Sequence, residues 1–192
     1  MIRIPKSVIE EIERKSQKVK KTEYTKTFKK NFDKTKEEMI ESFLSDPVTV
    51  EILTGASGGN ISGTLNGNSN LFAFIGFNSG DNPIEPILTL LRNTTYKDSG
   101  ESKKGRKFSV IMPTTEDIFS VTPMPWATGR SWAKGIETGI SGLGYLLNKS
   151  SSSSRSGVAI QAGSKVRSGK FNNRPYISAL LKKYKKKFKE IR

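Results

Sequence analysis

The segment that most restricts the fold is the last one, "RPYISALLKKYKKKFKEIR", residues 174 to 192. At 100° per residue, Tyr176, Ile177, Leu180, Leu181, Tyr184, Phe188 and Ile191 fall within an arc of about 140°. A helix with so broad an apolar side has to dock. Burying seven such side chains is worth roughly 10–20 kcal/mol before conformational entropy is subtracted. The lysines that follow Leu181 are read as lying outside the arc, on a solvated face. The remainder of the chain must therefore supply a surface for this helix (about 174–191), and a small sheet is the expected one.

Residues 1–46 read as an N-terminal helical region and 47–192 as an α+β core. Ser7 with Glu10 fits a capping box at the first helix start. Val8, Ile9, Ile12 and Val19 mark one stripe, and Tyr24, Phe28, Phe32, Met39 and Phe43 mark another. The two stripes point in different directions, which predicts a kink or break near Lys20–Thr25. Asp46–Pro47 stops the second helix.

Beyond the turn-rich "TGASGGNISGTLNGNSN" (54–70), "LFAFIGF" (71–77) reads as a buried strand. A helix follows, capped by Asp81 or Ser79, with Pro83 in its first turn and an inner stripe of Ile84, Ile87, Leu88 and Leu91. "KFSVIM" (107–112) reads as a strand and "TTEDIF" as one helical turn. Residues 131–137 and 157–162 read as the two strands of a long hairpin (about 131–162) with the flexible tip "LNKSSSSSRS".

The expected architecture is α+β: N-terminal helices, a small mainly antiparallel sheet with that hairpin, and the C-terminal amphipathic helix packed on the sheet. Phe72, Phe74, Ile75, Phe77, Ile87, Leu91, Val110, Leu180, Leu181 and Phe188 are the candidate core. The serine loop and the first 20 residues are expected to order only in an assembly.

Two missing residue types limit the chemistry. The chain has no cysteine, which removes disulfides, thiolate metal sites and cysteine nucleophiles. It has no histidine, which removes a Ser-His-Asp triad, a histidine base and nearly every zinc hydrolase. No catalytic residue, metal or cofactor is assigned. The glycine-rich "GASGGNISGTLNGN" lacks the Lys-Ser/Thr of a phosphate-binding loop and reads as a turn. Asp81, Asp98, Glu101 and Lys103 imitate the acid–acid–lysine set of a magnesium nuclease, but their Gly/Ser/Lys surroundings fit a solvated loop better.

The net charge of +15 in 192 residues favours a polyanionic or acidic partner. Lys182, Lys183, Lys185, Lys186, Lys187 and Lys189 are the candidate contacts, whether to an acidic protein or, non-specifically, to nucleic acid. No apolar run reaches the length of a membrane span, and the N-terminal segment is too acidic for a signal peptide, so no membrane partner is expected.

"PWATGRSWAKGIETGISGLGYLLNK" (125–149) holds both tryptophans and five glycines. Read as a strand, it puts Trp132, Lys134 and Ile136 on one side and a nearly bare face on the other, which another backbone could approach. Either it is an internal hairpin or it adds to neighbouring subunits. Trp126, Arg130, Trp132, Ile136, Glu137, Tyr145 and Arg155 are the candidate subunit interface.

"DPVTVEIL…GNISGTLNGNSNLFAFIGF…DNPIEPI", "TPMPWATGRSWAKGIETGISGLGYLL…SRSGVAIQ" and "RPYISALLKKYKKKF", together spanning most of residues 46 to 188, resemble virion structural proteins of tailed bacteriophages, often of the contractile-tailed kind. The order of elements, the Gly-rich "GIETGISG" and the Pro-aromatic start of the last helix are similar to neck and tail-completion proteins of lambda-like phages. The resemblance implies a non-enzymatic α+β subunit of a homo-oligomeric ring at the head–tail junction, or of a tail terminator. It would be assembled in the host cytoplasm and kept in the virion. Its partners would be other neck, collar or tail proteins, with packaged DNA touched non-specifically. The long N-terminal helical region and the "SGTL…FIGF" block depart from the minimal pattern. A cytoplasmic nucleic-acid-binding protein is the alternative that charge alone suggests.

Overall fold

The computed structural model describes residues 5–65, 70–102, 105–125, 127–139, 147–148, 160–161 and 171–191. It is α+β, dominated by one helix. α1 (Lys6–Leu44) runs uninterrupted for 39 residues, about 58 Å. The break expected near Lys20–Thr25 is absent. Ser7 lies inside the first turn behind Pro5, so the expected capping box is not formed.

The two stripes diverge because only one of them meets the rest of the protein. Phe28, Phe32, Met39 and Phe43 are buried and share an arc of about 60°. Val8, Ile12 and Val19 lie on nearly the opposite side and are exposed. The first 20 residues, expected to order only in an assembly, are helical from Lys6 on.

Asp46 ends the long helix and accepts from the Val48 amide to start α2 (Pro47–Leu53). A 3₁₀ turn at Gly55–Ser57 leads into the glycine-rich loop. The expected strand at 71–77 is instead α3 (Leu71–Ile75), bracketed by local chemistry. The Asn70 side chain accepts from the Ala73 amide, 2.9 Å, and Gly76 takes the left-handed conformation at φ 90°. α4 (Glu85–Arg92) begins after Pro83 without a side-chain cap, and Pro86 rather than Pro83 occupies its first turn. Asp81 accepts from the Asn78 amide and does not cap the helix.

β1 (Thr95–Ser102) and β2 (Gly105–Ile111) form an antiparallel hairpin in register Thr95↔Ile111 to Ser102↔Gly105, with an irregularity between Asp98 and Glu101. α5 (Thr115–Ser120) carries a true capping box, Thr114 with Asp117. β3 (Pro123–Met124) pairs with β4 (Ala127–Ser131), and α6 (Trp132–Thr138) follows at once. The expected strand at 131–137 is therefore a helix, capped by Ser131 on the Lys134 amide, 3.0 Å. Of the long hairpin, β5 (Leu147–Asn148) pairs antiparallel with β6 (Ile160–Gln161); the serine tip lies outside the described residues.

α7 (Ile177–Glu190) is the expected C-terminal helix. It packs on the rest of the fold with α1 and α5 as its principal neighbours, where a sheet face was expected. Its core side holds Ile177, Leu180, Leu181, Tyr184 and Phe188. Lys187 is an exception to the reading of the lysines, because it falls at the edge of the apolar arc. Its Nζ donates to Glu38 of α1 at 2.7 Å.

Aromatic rings tie these layers together. Phe28 stacks on Phe108 of β2 at 4.0 Å and meets Tyr96 of β1 edge-on at 5.0 Å, while Phe32 reaches Phe188 of α7 at 5.4 Å. Of the candidate core, Phe72, Ile75, Ile87, Leu91, Leu180, Leu181 and Phe188 are buried; Phe77 and Val110 are partly buried and pack against it. Phe74 is half-buried and stacks on Phe171.

Candidate functional site

Apart from Glu137, the interface candidates divide three ways. Trp132 and Ile136 are core residues, 1% and 0% exposed, and cannot serve as a docking ribbon. Trp132 stands edge-on to Phe77 at 5.9 Å and 6.4 Å from Tyr176. The helical repeat is the reason: residues four apart share one side of a helix as well as one side of a strand. Only the helix carries Lys134 away from the core, and Lys134 is exposed. Arg130 sits exposed on β4. Trp126, Tyr145 and Arg155 lie outside the described residues.

Glu137 has a structural task. Its carboxylate accepts from the Ser178 amide at 2.7 Å and the Tyr176 amide at 3.2 Å, capping α7 from across the fold. The Arg174 amide donates to the Ile136 carbonyl, which fixes the approach of the same helix. Below it the Tyr176 hydroxyl and the Thr49 hydroxyl are 2.7 Å apart in the core. Burial pushes the Tyr176 phenol above its ordinary pKa, so it stays neutral as a hydrogen-bonding group.

Glu51 was not singled out by sequence reasoning. It is fully buried and accepts from the Ser62 and Leu71 amides, both 2.7 Å, and from Asn60 Nδ2 at 2.9 and 3.1 Å. This one carboxylate closes the glycine-rich loop onto α2. Nothing in "PVTVEIL" distinguishes a buried glutamate from a solvated one, because its partners are backbone groups 11 and 20 residues away.

The acids of the acid–acid–lysine set do not gather. Asp98 accepts from Arg106 Nε at 2.7 Å, and the Arg106 side chain with the Gly100 amide holds the Asp98 carboxyl below the usual range. Glu101 is exposed, Asp81 binds the Asn78 amide, and Lys103 lies outside the described residues. Among the described residues no three acidic side chains are placed to share a metal ion, and no helix is long and apolar enough to cross a membrane.

Five of the six C-terminal lysines are exposed and Lys187 is half-buried. Lys183 leans on Ser42 at 3.3 Å and lies over the Tyr184 ring. Lys187 draws Glu38 below its ordinary pKa through the hydrogen bond and the charge, and is itself raised by the same contact.

Two features of α1 remain. Its first turns project beyond the body, with Val8 42%, Ile9 44%, Ile12 59% and Val19 63% exposed. Where the helix meets the body, a half-open groove of about 1190 Å³ runs between α1, β2 and α7. Apolar side chains (Phe28, Phe108, Val110, Phe188) line it together with charged ones of both signs, Glu23 among Lys20, Arg106, Lys107, Lys185 and Lys189. Comparison of the chain with protein families, curated proteins and solved structures finds no match in any of the three.

Proposed function

We propose that this chain is a non-enzymatic structural subunit that acts by assembly, and that its place is the neck or tail-completion ring of a tailed-phage virion. The observation that carries the assembly reading is the α1 tip, a preformed helix that offers apolar side chains to solvent. Such a stripe costs solubility unless a partner covers it. The phage assignment rests on the resemblance of residues 46 to 188 to virion proteins. The tryptophan segment no longer contributes, since Trp132 and Ile136 are internal.

Mass spectrometry of purified particles, with imaging of the head–tail junction, tests the assignment. A stoichiometric copy in the ring is expected; particles that lack the chain would falsify the reading.

A second reading, diffuse binding to nucleic acid, draws on the exposed lysine row of α7 and the net charge of +15. Several phosphate contacts would make affinity fall steeply with salt. A flat titration removes it.

A further inference from the structure

Helix α7 fills only part of the track it follows along α1. The two run antiparallel: Lys183 meets Ser42, the Tyr184 hydroxyl donates to the Glu38 carbonyl, and Phe188 meets Phe32. α7 ends at Glu190, yet the α1 flank runs on from Phe28 back to Val19 with the groove beside it. β2 forms the facing wall, and Phe188 and Ile191 border the groove from the end of α7. The uncovered stretch of α1 is about 15 Å long, room for a helix of about ten residues. The groove therefore continues an interface that the fold already uses.

Its lining suits an amphipathic guest. Phe28, Phe108, Val110 and Phe188 make one side apolar, and the exposed Tyr24 adds a ring. Arg106 is already paired with Asp98, which leaves Lys20, Lys107, Lys185 and Lys189 against Glu23. All four lysines are exposed, and none forms an ion pair among the described residues. A basic groove in a chain of net charge +15 asks for an acidic occupant. A second copy does not supply one, because its own tip sets Lys6, Arg14, Lys15 and Lys18 against Glu10, Glu11 and Glu13. A nucleic-acid strand would satisfy the lysines but has no aliphatic surface to set against Val19, Val110 and Ile191.

We infer that the groove takes an acidic amphipathic helix of a different protein, laid along α1 in line with α7. Apolar side chains at i, i+3, i+4 and i+7 of that helix meet Phe108 and Val110, and its carboxylates meet Lys107, Lys185 and Lys189. The inference rests on the assembly reading, to which it adds the class of partner, and does not depend on the phage assignment.

Fluorescence polarisation on the full-length chain at about physiological salt tests it, since salt suppresses diffuse attraction. The probe is a labelled synthetic helix with leucine at i, i+3, i+4 and i+7 and glutamate at the flanking positions. A hydrocarbon staple keeps it helical and removes the ordering cost. Wild type is expected to bind it with a Kd of about 100 μM or tighter. The same residues in scrambled order keep the charge, lose the apolar face, and should bind roughly tenfold or more weakly.

The groove variant Lys107→Glu/Lys185→Glu/Lys189→Glu should lose the probe roughly tenfold or more. It should gain the matching helix with lysine in place of glutamate, which also demonstrates that it folds. The control Lys26→Glu/Lys30→Glu/Lys182→Glu makes the same change in net charge at exposed sites outside the groove and should lose much less. Wild type that leaves the probe unbound overturns the inference. So does a scrambled peptide that binds as well as the patterned one, and so does a groove loss no larger than the control's. An oligothymidylate that binds more tightly than the probe through the same groove lysines assigns the groove to nucleic acid and overturns it too. Should circular dichroism show the groove variant unfolded, Tyr24→Glu on the exposed flank reads the same contact: lost binding supports it and retained binding overturns it. A chain stoichiometric in particles but blind to the probe sinks this inference alone; a chain that binds the probe but is missing from particles sinks the virion reading alone.

Discussion

Two glutamates illustrate how a carboxylate far from any reaction can decide the shape of a chain. Glu51 holds two backbone amides and the Asn60 side chain in a site without solvent access. In Glu51→Ala the Ser62 and Leu71 amides lose their acceptor, at about 1–3 kcal/mol each. Urea unfolding followed by circular dichroism should show a combined loss of about 2–6 kcal/mol. Glu137 is half-buried and satisfies two amides at the start of α7. Glu137→Ala is expected to cost about 0.5–2 kcal/mol, the range of a lost helix cap. Glu137→Gln keeps one acceptor oxygen and should recover part of it in the same assay.

At the scale of elements, α1 joins two different environments on one rod. Phe32→Ala removes a ring packed against Tyr96 and Phe188 and should cost about 3–5 kcal/mol. Ile12→Ser, on the same helix but outside the body, should change unfolding by less than about 0.5 kcal/mol. Thermal denaturation of the two variants side by side checks the contrast.

The bridge from Glu38 to Lys187 fastens α1 to α7. Glu38 is lowered from its ordinary 4.5, so its contribution is complete above pH 4.5 and fades as pH falls through the lower folded value. Lys187 is raised from 10.5, so its contribution is complete below pH 10.5 and fades as pH rises through the higher folded value. Both groups are open to water, and the effect is small. Lys187→Met should flatten the acid-side fall in melting temperature and leave the melting temperature at neutral pH little changed.

Legibility follows the same division. α7 was readable because seven apolar residues over four turns fit only one period, and β2 because its apolar run sits between a charged loop and Pro113. α3 and α6 were read as strands because five and seven residues are too few to separate the two periods. Their caps, Asn70 with Gly76 and Ser131, held the missing information. The divergent stripes of α1 were visible as a conflict. Their cause, one buried side and one exposed side of an unbroken helix, needed the positions of β2 and α7.

The molecule as a whole gathers its core around the root of α1, with Phe28, Phe32, Met39 and Phe43 reaching the hairpin, α2 and α7. The charge of +15 reflects 33 basic residues against 18 acidic. Raising salt should therefore ease the general repulsion between copies of the chain.

The unbroken course of α1 also makes it a lever. From Phe28, where the core grips it, to Lys6 is about 33 Å of rod without a proline or glycine to yield. A tilt of about five degrees at that fulcrum swings the far end by about 3 Å. Whatever would clasp the end would therefore aim the entire body, and any slackening of the grip at Phe28 or Phe32 is magnified at the far end of the rod.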